Sequence, residues 1–136
     1  MTSSPPSFEP LYVVDTNALY WYLTGSKKLT SNANLIFEAA ENGETTLVVS
    51  AIVLAELFWI SQKTKILDFA QTYIDLKARA YFHLVDYRAD EVIDLDKNAG
   101  LEMHDRMIVA LARRLIAPLI TSDEPIRDTG FVKVIW

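Results

Sequence analysis

The sequence contains no cysteine and only two histidines among its 136 residues. The first absence excludes a disulfide framework and any thiolate metal centre. The two histidines, His83 and His104, are too few for a zinc centre of the usual kind, which takes three or four nitrogen or sulfur ligands. Any metal is therefore expected to be held mainly by oxygen, which favours Mg²⁺ or Mn²⁺. Long hydrophobic runs are missing as well, although 51% of the residues are hydrophobic. The longest run, Ala51 to Ile60, is interrupted by Glu56 and falls well short of the ~20 residues needed to cross a bilayer, so no membrane association is expected. Residues 1–10, with Pro5, Pro6 and Pro10, lack both a basic start and an apolar stretch of signal-peptide type. They read as a flexible tail on a cytoplasmic protein.

An excess of basic residues is also lacking: the net charge is −5, which argues against a strongly basic nucleic-acid clamp. That argument is limited, because a cluster of four carboxylates would carry about as much charge, and a bound divalent ion would offset part of it. Lys27, Lys28, Arg106, Arg113, Arg114, Arg127 and Lys133 remain to meet phosphates, although most read as ordinary solvated charge.

What is present is the length of one domain and a strand–helix alternation. Leu11–Val14, Thr46–Val49, Tyr81–Val85, Pro118–Thr121 and Val132–Trp136 read as short buried strands. Between them a helix is expected from Thr30 or Ser31 to near Gly43, and another over Ala51–Ser61 capped by Ser50. Ile66, Phe69, Ala70, Tyr73, Ile74 and Lys77 form an i, i+3, i+4 stripe on a further helix. Ala89–Leu95 reads as a short helix, and Met107, Ile108, Leu111, Ala112 and Leu115 as the buried stripe of the last one. Alternation without hairpins predicts an α/β fold with a mainly parallel central sheet flanked by helices on both faces.

Four carboxylates are embedded in, or close, markedly apolar segments: Asp15, Glu56, Asp105 and Asp123. An ionised carboxylate in such surroundings is costly unless it is paired, hydrogen-bonded or metal-bound. Taken singly, Asp15 reads equally as a helix N-cap, Asp105 as a favourable charge at a helix N-terminus, and Asp123 as a turn residue. Glu56 resists such readings, because Ala51 to Ile60 is apolar on every other side of the helix. Asp15 and Asp123 follow strand ends, where ligands bind in open α/β sheets. All four are therefore expected at one sheet edge around a divalent cation, a site suited to phosphodiester cleavage.

The acids also fall into an ordered set of local motifs. These are Val14-Asp15-Thr16-Asn17-Ala18-Leu19-Tyr20-Trp21-Tyr22-Leu23, then Ser50 with Glu56 entering a helix, then His104-Asp105-Arg106-Met107-Ile108-Val109-Ala110, then Leu119-Ile120-Thr121-Ser122-Asp123. The sequence so resembles the PIN domain family, and within it the VapC-type toxins of bacterial and archaeal toxin–antitoxin pairs. The resemblance runs from about Leu11 to Trp136, so a PIN-like domain over 11–136 is expected. It implies a metal-dependent endoribonuclease with Asp15, Glu56, Asp105 and Asp123 as catalytic and metal-binding acids. Asn17, Thr121 and Ser122 would support them. Arg106 would hold a carboxylate or, less readily, meet a phosphate. It further implies an RNA substrate, Mg²⁺ or Mn²⁺, a homodimer and a small antitoxin partner. Many relatives carry Asp three residues before the late Asp-Arg pair, where this chain has Glu102; that makes Glu102 a secondary candidate, alongside His104 as a base. The aromatic residues Tyr20, Trp21, Tyr22, Phe58 and Trp59 suit base stacking or, better, a protein interface.

Three other readings compete: a catalytically silent PIN-like binding module, a PIN nuclease of RNA processing outside toxin–antitoxin systems, and an acidic-pocket phosphatase. The intact acid set argues against the first. The third usually needs a second acid in an Asp-x-Asp arrangement, where this chain has Asn17.

Overall fold

The computed structural model describes residues 7–98 and 100–136. The first six residues of the expected tail lie outside the described residues, whereas residues 9 and 10 join the fold. Thr45 Oγ1 donates to the carbonyl of Glu9 at 2.6 Å, and the amide of Thr46 donates to Pro10 at 3.2 Å.

Five strands, β1 (Leu11–Val14), β2 (Thr46–Ser50), β3 (Phe82–Val85), β4 (Leu119–Ile120) and β5 (Val134–Ile135), form one sheet in the order β3-β2-β1-β4-β5. Every pairing is parallel, with Val13 opposite Val48 on one side and Leu119 on the other. A parallel sheet needs crossovers that cover its faces, which is why β1 and β2 read as unbroken apolar runs rather than alternating ones. The last two strands are shorter than expected, but the ladder continues past them: Val13 donates to Pro118, and Thr121 to Ile135. Pro118 has no N–H to give, which ends regular pairing on its side.

The helices are α1 (Thr16–Thr24), α2 (Ser31–Glu41), α3 (Ala51–Thr64), α4 (Phe69–Ala78), α5 (Met103–Leu115) and α6 (Glu124–Thr129), with a 3₁₀ segment over Ala89–Asn98. The caps read from sequence at Thr30 and Ser50 are made, by side-chain acceptance from Ala33 N and Ile52 N. The core runs through Val13, Val14, Leu19, Phe37, Leu47, Val49, Leu57, Ile108, Leu119 and Ile120, all fully buried. α3 packs between α1 and α5, and α5 lies against β1. No described helix is long and apolar enough to cross a membrane.

Two expectations about helix faces are corrected. The stripe on α4 points largely outward: Ile66 precedes the helix, and Ile66, Tyr73 and Ile74 are exposed, while Thr72 and Leu76 are the buried residues. Phe58 of α3 meets Phe69 edge-on at 5.4 Å and sets the roll of α4, a tertiary contact that periodicity cannot anticipate. The second concerns α3, where the apolar run around Glu56 left no solvated face to expect; Phe58 and Trp59, read as stacking or interface residues, are exposed. The α5 stripe is buried at Ile108, Leu111 and Ala112 as expected, whereas Met107 and Leu115 are half-buried.

A fifth carboxylate, Glu91 in the 3₁₀ segment, is buried and pairs with Arg114 on α5. Arg113 adds a 2.9 Å bond to the side chain of buried Asn98. These two arginines therefore tie the 3₁₀ segment to α5.

Candidate active site

β1 sits in the middle of the sheet, with its neighbours β2 and β4 on opposite sides. The chain returns to opposite sides of β1 after it, so the loops leaving β1 and β4 diverge and open a crevice beyond their carboxyl ends. Asp15 stands at that point. Its amide still donates to Ile120 at 3.0 Å, prolonging the β1–β4 pairing, and its side chain begins α1.

Asp15 is both an N-cap and a cleft residue, so the two sequence readings of it coexist. Its Oδ1 accepts from the amide of Thr16 at 2.8 Å, and its Oδ2 accepts from Thr121 Oγ1 at 2.6 Å. It is 8% exposed. Burial pushes its carboxyl above the ordinary range; the bonds from Thr121 and Thr16 pull it back, and Glu56 and Asp123 push it up again. Each carboxylate oxygen retains a second lone pair, so these bonds leave acceptor capacity facing the cleft.

Thr121 joins two of the acids. Its hydroxyl donates to Asp15 and accepts from the amide of Asp123 at 3.0 Å. Asp123 in turn caps α6 by accepting from Ile126 N at 3.0 Å. Glu56, in the second turn of α3, accepts from Thr16 Oγ1 at 2.9 Å and lies 3.5 Å from His104 Nδ1. Glu56 is half-buried rather than enclosed, because its side of α3 borders the cleft. Asp105 lies in the first turn of α5, where the helix dipole favours its charge. Desolvation nonetheless raises its carboxyl to about 6, aided by Asp123, Asp15, Glu102 and Glu56, in that order.

The four acids line one cleft of about 450 Å³, together with Thr16, Asn17, Ile52, Ala55, Trp59, Ile60 and His104. That lining contains no lysine or arginine, and among the described residues no lysine or arginine pairs with these four carboxylates. Among the described residues, no three acids or histidines stand close enough together to form a ready-made ligand set. The donors are hard oxygens with spare lone pairs, a chemistry that fits Mg²⁺ or Mn²⁺ bound partly through water.

Several supporting residues fall elsewhere. Arg106 pairs with no carboxylate among the described residues; its Nε donates to the carbonyl of Leu101 at 2.8 Å, holding the turn before α5. Glu102 occupies the N-cap position of α5 without a capping bond, is exposed, and does not line the cleft. Ser122 makes no side-chain hydrogen bond among the described residues, and Thr121 alone bridges Asp15 to Asp123. Tyr22 is occupied in the core, stacked on Phe37 at 4.2 Å and bonded to Glu41, while Trp21 meets Trp136. Thr16 as the partner of Glu56 was missed by the sequence reading. The cleft face Ile52–Ala55–Glu56–Trp59–Ile60 was missed too, although its i, i+3, i+4 spacing about Glu56 was there to find.

The raised carboxyls give a linkage prediction. Between the ordinary value of 3.8 and its folded value of about 6, Asp105 binds more proton in the folded than in the unfolded chain. Stability contributed by this group is thus present at low pH and lost as pH rises through that interval; Asp15 acts in the same direction. Scanning calorimetry in chelator is expected to give a higher Tm near pH 5 than near pH 7, with a smaller difference in Asp105→Asn. An unchanged pH dependence in that variant would contradict the assignment.

A model of the PIN domain family, described as "PIN domain", matches residues 12–132. No curated protein matches significantly. Among solved structures, the chain is similar to the sarcin–ricin-loop-cleaving toxin VapC20 of Mycobacterium tuberculosis, at 15% identity, over 92% of this chain and 99% of that one, with a TM-score of 0.68. It is similar to VapBC2 of Rickettsia felis, solved with a DNA fragment from its promoter, at 21% identity, over 91% and 96% of the two chains, with a TM-score of 0.65. VapBC-1 of nontypeable Haemophilus influenzae gives 18% identity, 91% and 96% coverage, and a TM-score of 0.63. At these identities the structural likeness establishes the fold.

Proposed function

This chain belongs to the PIN domain family, and from that premise we propose that it is a divalent-metal-dependent endoribonuclease, the toxin of a toxin–antitoxin pair. The observation that carries this reading is Asp15, a buried carboxylate in a cleft whose other ionisable groups, among the described residues, are Glu56, Asp105, Asp123 and His104. Gathering one buried and three half-buried acids without a lysine or arginine among them is destabilising, and a site that serves phosphoryl chemistry gives a reason for doing so.

Asp15, Asp105 and Asp123 are the residues that would hold the ion, with Glu56 binding it or orienting the attacking water. When bound, Mg²⁺ or Mn²⁺ supplies a Lewis acid that neutralises charge growing on the phosphoryl oxygens and makes water more acidic. The residues of the chain do the positioning. Thr121 fixes the Asp15 carboxylate and the start of the α6 turn, and Thr16, at the start of α1 next to Asp15, fixes Glu56, so neither acid has to reorganise during the reaction. Among the cleft residues only acids, Thr16, Asn17 and His104 carry reactive polar groups. No serine or cysteine lines it among the described residues, and direct attack by water is the course a carboxylate cleft that holds a divalent ion serves best.

The toxin assignment draws on the solved relatives, of which VapC20 is described as cleaving the sarcin–ricin loop and two are VapBC complexes. A small antitoxin protein and a homodimeric state follow as part of the same proposal. Incubation of the pure protein with defined RNAs is expected to give cleavage with Mg²⁺ or Mn²⁺ and none in excess chelator. Mn²⁺ is also expected to raise Tm, by about 2.7 kcal/mol of added stability at a hundredfold excess over Kd. A protein that is neither stabilised by the ion nor active with it would instead be the silent binding module.

A further inference from the structure

The cleft poses a difficulty that its acids cannot resolve. An RNA strand is a polyanion, yet the cleft wall offers four carboxylates and no lysine or arginine. An ion at the carboxylates would attract one phosphate, and the rest of the strand needs an attraction that does not depend on charge. Stacking of bases on an aromatic face is such an attraction, and it tolerates any base.

One side chain is placed to supply it. Trp59 lines the cleft with the acids and is 61% exposed, an unusual position for the largest apolar side chain in the set. It lies three residues after Glu56 on α3, so the two project from the same face of the helix, one turn apart. Its neighbour Phe58 is turned to the other flank of α3, where it packs against Phe69. Among the described residues no aromatic ring stands against Trp59. Lys63, one turn further on and not part of the cleft lining, holds its ammonium 5.2 Å from the indole centroid. A cation over the ring orients it, and at 61% exposure the indole keeps surface free for a base.

We propose that Trp59 is the base-stacking platform of this cleft, holding the nucleobase next to the phosphate that sits over the carboxylates, with Lys63 steadying the ring from outside. The proposal rests on the ribonuclease reading above and adds to it the residue that holds single-stranded RNA. A folded duplex would not present an unstacked base to the ring, so the substrate class it implies is a single strand or loop.

Binding of short fluorescein-labelled single-stranded RNAs to the full chain, in an Asp15→Asn background that leaves the RNA uncut, tests this by anisotropy. Trp59→Ala is expected to weaken binding roughly tenfold, and Trp59→Phe to restore most of the loss. Moving one abasic nucleotide along the RNA is expected to find a position that reproduces the loss with Trp59 present. At that position Trp59→Ala should cost nothing more. Binding by Trp59→Ala equal to that of its parent would overturn the proposal. So would a loss that is the same for every abasic RNA, which would mark a structural role. A change in sedimentation with RNA binding intact would overturn it as well, and would assign the ring to a protein interface. If the unsubstituted chain neither cuts nor binds RNA, the ribonuclease reading falls and this proposal falls with it. If it does both and is indifferent to Trp59, only this proposal falls.

Discussion

Asp15→Asn is expected to abolish metal-dependent RNA cleavage, with a loss of at least about 100-fold, because even partners of metal ligands cost 10–100-fold when removed. The substitution is close to isosteric. Asparagine caps helices as well as aspartate does, so the bond from the Thr16 amide and the start of α1 are retained. The contact with Thr121 survives in altered form, since the hydroxyl that donates to Asp15 Oδ2 is able to accept from an amide instead. What disappears is one negative charge in a buried place, at 8% exposure and coupled to Glu56 and Asp123. The metal-free variant should therefore melt no lower than the parent, and higher at neutral pH where the native carboxylate would be ionised. The rise in Tm on adding Mn²⁺ should shrink or vanish. Cleavage assays and melting curves run on the same preparation distinguish a lost ligand from a lost fold. Undiminished cleavage by a folded variant would remove Asp15 from the reaction and with it the proposed site.

Phe37→Ala is expected to lower stability by roughly 3–5 kcal/mol, the usual cost of deleting a fully buried aromatic ring. Such a loss is a large part of the ~5–15 kcal/mol that holds a domain of this size folded. Phe37, on α2, is 0% exposed and stacks on Tyr22 of α1 with planes 8° apart. Tyr22 also approaches Phe82 of β3, and its hydroxyl bonds Glu41 and lies 3.2 Å from Tyr81. Removing the ring leaves a cavity where α1, α2 and the sheet meet, and Tyr22 loses the surface that fixes it. Urea or thermal unfolding is expected to show a Tm drop of roughly 10–20 °C. Phe37→Leu should lose much less, since it refills most of the volume. Phe37 does not line the cleft, so cleavage well below Tm should be nearly normal in both variants. A drop of only a degree or two in Phe37→Ala would show that this contact is not the anchor it is taken to be here.

Much of the fold was legible from local pattern. The runs at Leu11–Val14 and Thr46–Val49 are strands because they lie in the middle of a sheet covered on both faces, which is what an unbroken apolar run reports. Thr30 and Ser50 signalled helix starts because a capping bond reaches only two or three residues. The faces of α3 and α4 were not legible. An apolar stripe says that a surface avoids water, and Phe58 on Phe69 decides which neighbour covers it. Where Arg106 reaches, and that Thr121 is the residue that bridges two acids, was not legible for a related reason: proximity in sequence to an acid does not fix which carbonyl or hydroxyl a side chain reaches.

The sequence by itself determined which carboxylates were out of place and where they stood in the order of elements. The burial cost of a charge depends on the apolar residues around it, and a strand end is a local property. It left three of the four acids with equally good explanations as caps or turn residues, and those explanations turned out to be true as well: Asp15 and Asp123 cap α1 and α6, and Asp105 lies in the first turn of α5. The sequence expected them at one sheet edge, and only the tertiary structure shows the cleft that they line together. A parallel sheet with β1 at its centre sends its connections to opposite sides, so residues 15, 105 and 123, far apart in the chain, come to share the space beyond two strand ends. The bonds that hold the arrangement, Thr121 to Asp15 across 106 positions and Thr16 to Glu56 across 40, are long-range, and no local pattern encodes a contact of that span.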